Sequence, residues 1–310
     1  MLSRRNIRVK VMQTLYSVES MHNETSPEEA INILKKNLDQ SQQLFTYLVF
    51  FLTEIARFAE SDALQKSHKH LPSQHDLNIN TKIAGNGIVW AALENKSFLK
   101  AAKDYNTKYI IDADLIRRIY LSLVESDQYK TYITSGNRDK RSEKKILEFI
   151  FNDLMLANAD FTSNVEEYFI HWDDDADMMV VLMANFLQAA AGFDFGQMIS
   201  AEKSTFATTL LTTVIDKKDF CIELIKPKLK NWDAERIASL DMILMRMGVC
   251  EFLYFETIPT KVTINEYIDL AKEYSTPQSG HFVNGILDNI HKELMAENKI
   301  IKKNFKNSTL

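Results

Sequence analysis

Two groups of residues, one near each end of the chain, have types and spacing that could do chemistry, and that chemistry is binding. Arg4, Arg5 and Arg8, with Lys10 beyond them, fall close to the start of the first amphipathic stretch. Guanidinium groups placed there converge with the unsatisfied backbone N–H groups of a helix N-terminus, an arrangement that holds phosphate. The same residues also serve as an ordinary solvated face. Phe282 lies near the start of the last amphipathic stretch, with Gln278, Ser279 and His281 just ahead of it. A ring in that position can carry a stacked base or can belong to the core. Asn284-Gly285, after it, would then mark a close helix–helix approach.

The remaining clusters support no catalytic or metal reading. His68, His70 and His75 lie in a polar stretch without ligand spacing on a helix. Asp173-Asp174-Asp175-Ala176-Asp177 lacks the glycine and the distal glutamate of a calcium loop. Those acids suit the opening of an apolar helix over 178–187, where they complement its dipole. The close pair Gly85-Asn86-Gly87 does not follow a strand, so it is no cofactor loop.

The elements that must position these residues read as helices. Glycine (8) and proline (5) are too few for the turns that sheet proteins need. The net charge of −5 excludes a bulk polycation, so any nucleic-acid binding must use a local basic patch. Two cysteines without a C-x-x-C pair argue against a zinc ribbon or disulfide framework and fit a reducing cytoplasm. No apolar region follows the N-terminal arginines, so no signal peptide is expected. The longest apolar run, from Leu44 to Leu52, falls far short of the roughly 20 residues that span a bilayer, and a soluble protein is expected.

The spacing predicts a first helix over 3–21 with Ile7, Val11, Thr14, Leu15 and Val18 on one face and a basic edge exposed beside it. Ser26-Pro27-Glu28-Glu29 predicts a second start, with Ser26 as cap and Glu29 as the capping-box acid. Capping boxes are also expected at Ser163–Glu166 and Thr263–Glu266. A helix is predicted over 204–230 with Pro227 bending its end, and another over 234–255 capped by Asp233. In the latter, Arg246 should form a structural ion pair. Asp241 is either satisfied internally or waits for a partner's cation. A last helix should begin near Gln278, followed by a basic tail over 296–310. Trp172 and Trp232 each precede a similar acidic helix start, a weak echo of duplication.

Taken in order, several of these segments resemble the NusB family of transcription antitermination factors. The resemblance is carried by Trp232–Arg236, Asp241–Arg246, Ile258–Glu266, the pair Ala271-Lys272 and Phe282–Asp288. At the other end it is carried by Arg4-Arg5-Asn6-Ile7-Arg8 and Gln13–Ser17. It implies an all-α fold without catalytic residues or cofactors. It also implies binding of the single-stranded boxA element of ribosomal RNA leaders together with ribosomal protein NusE, in an RNA polymerase complex with the other Nus factors. By that resemblance Arg4, Arg5, Arg8, Gln278, Ser279, His281 and Phe282 would contact RNA, and Tyr16, Glu235 and Asp241 would face the protein partner. A protein–protein scaffold with little RNA binding of its own is the alternative. Family members often carry an acid at Gln278 and a basic residue at His281. The chain is also about twice the usual length: residues 1–24 and 200–295 would form the family core, with 25–199 a helical insertion.

Overall fold

The computed structural model describes residues 2–21, 25–68, 73, 79–136, 138–229 and 237–303. Its helices are α1 (Arg4–Ser20), α2 (Pro27–Ser67), α3 (Gly87–Glu94), α4 (Lys96–Asp104), α5 (Ala113–Glu125), α6 (Asp127–Thr134), α7 (Lys140–Phe149), α8 (Ala159–Tyr168) and α9 (Trp172–Gln188). They continue with α10 (Ala201–Asp216), α11 (Lys218–Ile225), α12 (Ser239–Tyr254), α13 (Thr260–Tyr274) and α14 (Ser279–Ala296). A π-helical segment, Ile150–Met155, extends α7. Among the described residues there is no strand, so the fold is all-α as expected. No described helix is long and apolar enough to cross a membrane.

The chain divides into two units. One comprises residues 39–198 and the other joins 2–38 to 199–310, with α2 running through the boundary. The core of the first is aromatic. Phe45, Phe98, Phe186, Phe193 and Phe195 form a cluster in which neighbouring rings lie 4.9–6.3 Å apart. Asn95 ties its edge, donating to the carbonyls of Ala190 at 3.0 Å and Phe193 at 2.8 Å.

In the second unit α12 is the central element. Every residue from Ile243 to Phe252 is buried, because α1, α10, α11, α13 and α14 all pack on it. Gly248 permits the approach of α14: a Cβ there would lie 2.9 Å from a Leu287 methyl. Gly285, in contrast, faces open space, so the close approach expected at Asn284-Gly285 is made at Gly248 instead. Cys221 and Cys250 are free buried thiols whose Sγ atoms are 3.6 Å apart.

Local signals held where nothing stronger competed. The Ser26 box is formed: the Glu29 N–H donates to Ser26 Oγ at 3.2 Å, and the Ser26 N–H donates to Glu29 Oε2 at 2.9 Å. Asp173, Asp174 and Asp175 open α9, which starts earlier than predicted, at Trp172. The other two boxes are not caps. Asn158 caps α8 and leaves Ser163 within the helix. Pro259 starts α13, so Thr263 sits one turn in and uses its hydroxyl elsewhere. The helix predicted over 204–230 breaks at Lys217, and Pro227 falls in a 3-10 turn, Lys226–Lys228. The next helix begins at Ser239, five residues later than predicted. Asp233, Glu235, Trp232, His70 and His75 lie outside the described residues.

Candidate functional site

α1 is held by charge as well as by its apolar face. Its start is capped by Ser3, whose side chain accepts from the Asn6 N–H. From Ile7 to Met12 every residue is buried, which overturns the exposed basic edge expected for Arg8 and Lys10. A single apolar stripe predicts burial on one side, but α1 is enclosed further around by α10 and α12.

Arg8 is 2% exposed and Glu251 of α12 is 0% exposed. Arg8 Nε donates to Glu251 Oε1 at 2.7 Å, and Nη2 donates to Oε2 at 3.1 Å. Nη1 reaches Glu266 Oε2 at 3.2 Å. Glu251 also accepts from Thr263 Oγ1 at 3.0 Å and Tyr267 Oη at 2.8 Å. Four donors therefore saturate a carboxylate that would be costly to bury alone. Burial disfavours the charge on Arg8, but its bonds to Glu251 and that residue's negative charge outweigh the cost and raise its pKa. Burial, then the Glu251 charge, pushes the Tyr267 phenol well up. Further along α1, Arg246 Nη2 donates to Glu19 at 2.7 Å, the structural ion pair expected of it.

Arg4 and Arg5 stay near the surface. Arg4 Nη2 meets Glu202 Oε1 at 2.6 Å, at the start of α10, and lies 5.7 Å from the Phe206 ring centroid. Arg5 Nη2 meets Glu273 Oε2 at 2.7 Å. Glu273 lies in the last turn of α13, so this pair ties the start of α1 to the end of α13. Both ion pairs are solvent-exposed and contribute at most about 1 kcal/mol each, so a phosphate can compete for these arginines.

At the start of α14, Gln278 and His281 are exposed, whereas Ser279 and Phe282 are buried. Ser279 Oγ donates to Asp241 Oδ2 at 2.7 Å and lies 2.8 Å from Thr276 Oγ1. Asp241 is 5% exposed, and its other oxygen, Oδ1, is buried without a hydrogen-bond partner. Tyr16 stands 47% exposed on α1. The structure thus leaves Arg4, Arg5, Gln278 and His281 at or near the surface, and turns Arg8, Ser279 and Phe282 inward. The glutamates that hold the arginines, Glu202, Glu251, Glu266 and Glu273, were not singled out as partners from the sequence. The one signal available was Glu251 itself, an acid in an otherwise apolar helix. Among the described residues no group of histidine, cysteine and acidic side chains could hold a metal.

The family profile described as the NusB family matches residues 182–292, from within α9 to near the end of α14. The transcription antitermination protein NusB of Thermodesulfovibrio yellowstonii is 38% identical over 104 residues, 34% of this chain and 69% of the relative. That of Salinibacter ruber is 40% identical over 97 residues, 31% of this chain and 61% of the relative. That of Desulfatibacillum aliphaticivorans is 42% identical over 98 residues, 32% of this chain and 68% of the relative. No solved structure matches.

Proposed function

The chain belongs to the NusB family, a family of transcription factors and not of enzymes, and on that premise we propose that it is an antitermination factor. In this reading it binds boxA-type single-stranded RNA of ribosomal RNA leaders together with ribosomal protein NusE, within the RNA polymerase complex that the other Nus factors join. The unit formed by 2–38 and 199–310 carries this activity, and most of 39–198 is an addition to the family fold.

One observation carries the reading. The arginine-bearing helix α1 lies outside the matched residues, yet packs in one unit with the elements that are matched. Arg5 is then tied to the end of α13, beside the exposed Gln278 and His281. Arg4, Arg5, Gln278 and His281 form the RNA-contacting surface. Arg8 and Ser279 are positioning residues behind it, and Phe282 belongs to the core beneath. Tyr16, Glu235 and Asp241 face the protein partner.

The scaffold reading is favoured by one finding, that each of Arg4, Arg5 and Arg8 already has a carboxylate partner. Binding of a boxA-type RNA, measured with and without the ribosomal protein, separates the two. Affinity that rises with the partner and falls about tenfold or more in Arg4→Ala/Arg5→Ala supports the first. Partner binding without RNA affinity at low salt leaves only the scaffold.

A further inference from the structure

The unit spanning 39–198 holds 16 lysines and arginines against 23 acids, yet one of its faces is basic. In α4, Lys96, Lys100 and Lys103 project within about 60° of one another, and Leu99 lies beside them. Phe98 and Ala101, on the opposite side, are buried and fix which face is outward. All three lysines are exposed, as is Lys108 in the 3-10 turn that follows. Among the described residues, no carboxylate lies within ion-pair distance of any of the four. Asp104, one turn beyond Lys100, forms no ion pair with it. Other helices of the chain place an acid where it neutralises a lysine one turn away, as in Lys66–Asp62, Lys144–Glu148 and Lys292–Asp288. In α4 two neighbouring pairs, Lys96–Lys100 at i,i+4 and Lys100–Lys103 at i,i+3, are instead like charges, which destabilise a helix by a few tenths of a kcal/mol per pair.

The turn that follows α4 carries an aromatic ring on a fixed support. Tyr109 is 85% exposed. The turn that carries it starts at Asn106, whose φ of 51° is left-handed, and is anchored by the buried Thr107. Tyr105 Oη, just before, donates to Asp39 at 2.7 Å. Trp90, in the preceding helix, is half exposed. Cations outside ion pairs and exposed rings, here carried on neighbouring elements, are the two components that hold single-stranded nucleic acid: one tracks the backbone and the other stacks on bases, with little sequence preference. A membrane surface fits less well, because the apolar face of α4 is already used in the core.

We propose that Lys96, Lys100, Lys103, Lys108 and Tyr109 form a second RNA-contacting surface, which takes single-stranded RNA of no particular sequence. It lies in the other unit from Arg4 and Arg5 and binds independently of them. The test uses the full chain and a labelled oligouridine, with anisotropy read between about 50 and 200 mM salt. Lys96→Gln/Lys100→Gln/Lys103→Gln should weaken binding about 10- to 100-fold at the low-salt end and reduce the slope of log affinity against log salt by about 2, at roughly 0.7 per lysine–phosphate contact. Tyr109→Ala should weaken binding at least about 5-fold with the slope nearly unchanged. Arg4→Ala/Arg5→Ala should leave most oligouridine binding in place. The inference is overturned if the triple variant keeps wild-type affinity and slope, or if the wild type does not bind oligouridine at low salt. It is also overturned if the lysines prove necessary instead for sedimentation with phosphatidylserine vesicles. Loss of boxA-type binding in the arginine variant with no change in the lysine variant would retain the proposed function and remove only this surface.

Discussion

Replacing Arg8 by methionine should destabilise the unit that contains α1 far more than any loss of surface charge would. The substitution keeps a comparable apolar stem but removes two of the four hydrogen bonds to the Glu251 carboxylate and the guanidinium paired with it. Breaking a buried ion pair from one side costs about 3–5 kcal/mol, because the remaining charge stays buried without compensation. For a unit of roughly 150 residues that corresponds to a fall in Tm of about 6–20 °C. Glu251→Gln should cost less, since the amide oxygen still accepts from Thr263 or Tyr267 while Arg8 keeps Glu266. The double variant Arg8→Met/Glu251→Gln should be more stable than the sum of the single losses predicts, by at least about 1.5 kcal/mol. Urea unfolding at neutral pH gives the energies, and hydrogen exchange along α12 and α13 shows that the loss belongs to this unit. A cost below about 1 kcal/mol for Arg8→Met, or strict additivity in the cycle, would refute the argument.

Other perturbations test neighbouring features. Gly248→Ala should cost about 1–3 kcal/mol by overpacking α12 against α14, with Leu287→Ala recovering part of it in denaturant titrations. Asp241→Asn should leave stability within about 1 kcal/mol, because Ser279 retains a polar partner, while binding to a basic protein partner drops about tenfold; unchanged binding removes Asp241 from the interface. Alkaline pH should destabilise the 39–198 unit. Burial is the first cause raising the phenol pKa of Tyr47, Tyr105 and Tyr120, and it pushes Tyr132 up to about 12. The folded state therefore retains protons that the unfolded chain loses near pH 10. Stability is present below about pH 10 and falls as pH rises through the folded values, which a tyrosinate absorbance titration paired with circular dichroism will show.

The all-α class was legible because it rests on summed, local quantities: few turn residues, helical periodicity and one good capping box at Ser26. The failures share one cause. A serine or threonine three residues before an acid is compatible with a cap, but it also occurs inside helices that begin earlier. At Ser163 the Asn158 cap takes precedence. At Thr263 the proline start takes precedence, and the hydroxyl is left to serve Glu251. Periodicity likewise assigned Arg8 and Lys10 to the flanks of a stripe. Whether a flank faces water depends on how many neighbours enclose the helix, and those neighbours are about 200 or more residues away in sequence.

The same dependence on distant neighbours governs the charge of the candidate site. Net charge over the whole chain is −5, which suggests a molecule ill suited to RNA. Divided by unit, the acids concentrate in 39–198, and 2–38 with 199–310 carries 21 basic residues against 19 acidic ones. Phosphate binding responds to local potential within about a Debye length, roughly 8–10 Å, and not to the total. The arginines of α1 near the surface are paired with glutamates in weak, displaceable contacts, Arg4 with Glu202 and Arg5 with Glu273 and Glu266, while the lysines of α4 form no ion pair among the described residues. The two surfaces should therefore differ in kind. RNA bound at Arg4 and Arg5 must displace carboxylates, so binding there gains less from bare charge and depends more on additional contacts to bases. RNA at α4 has no ion pair to displace among the described residues, so its affinity should follow salt closely and sequence hardly at all.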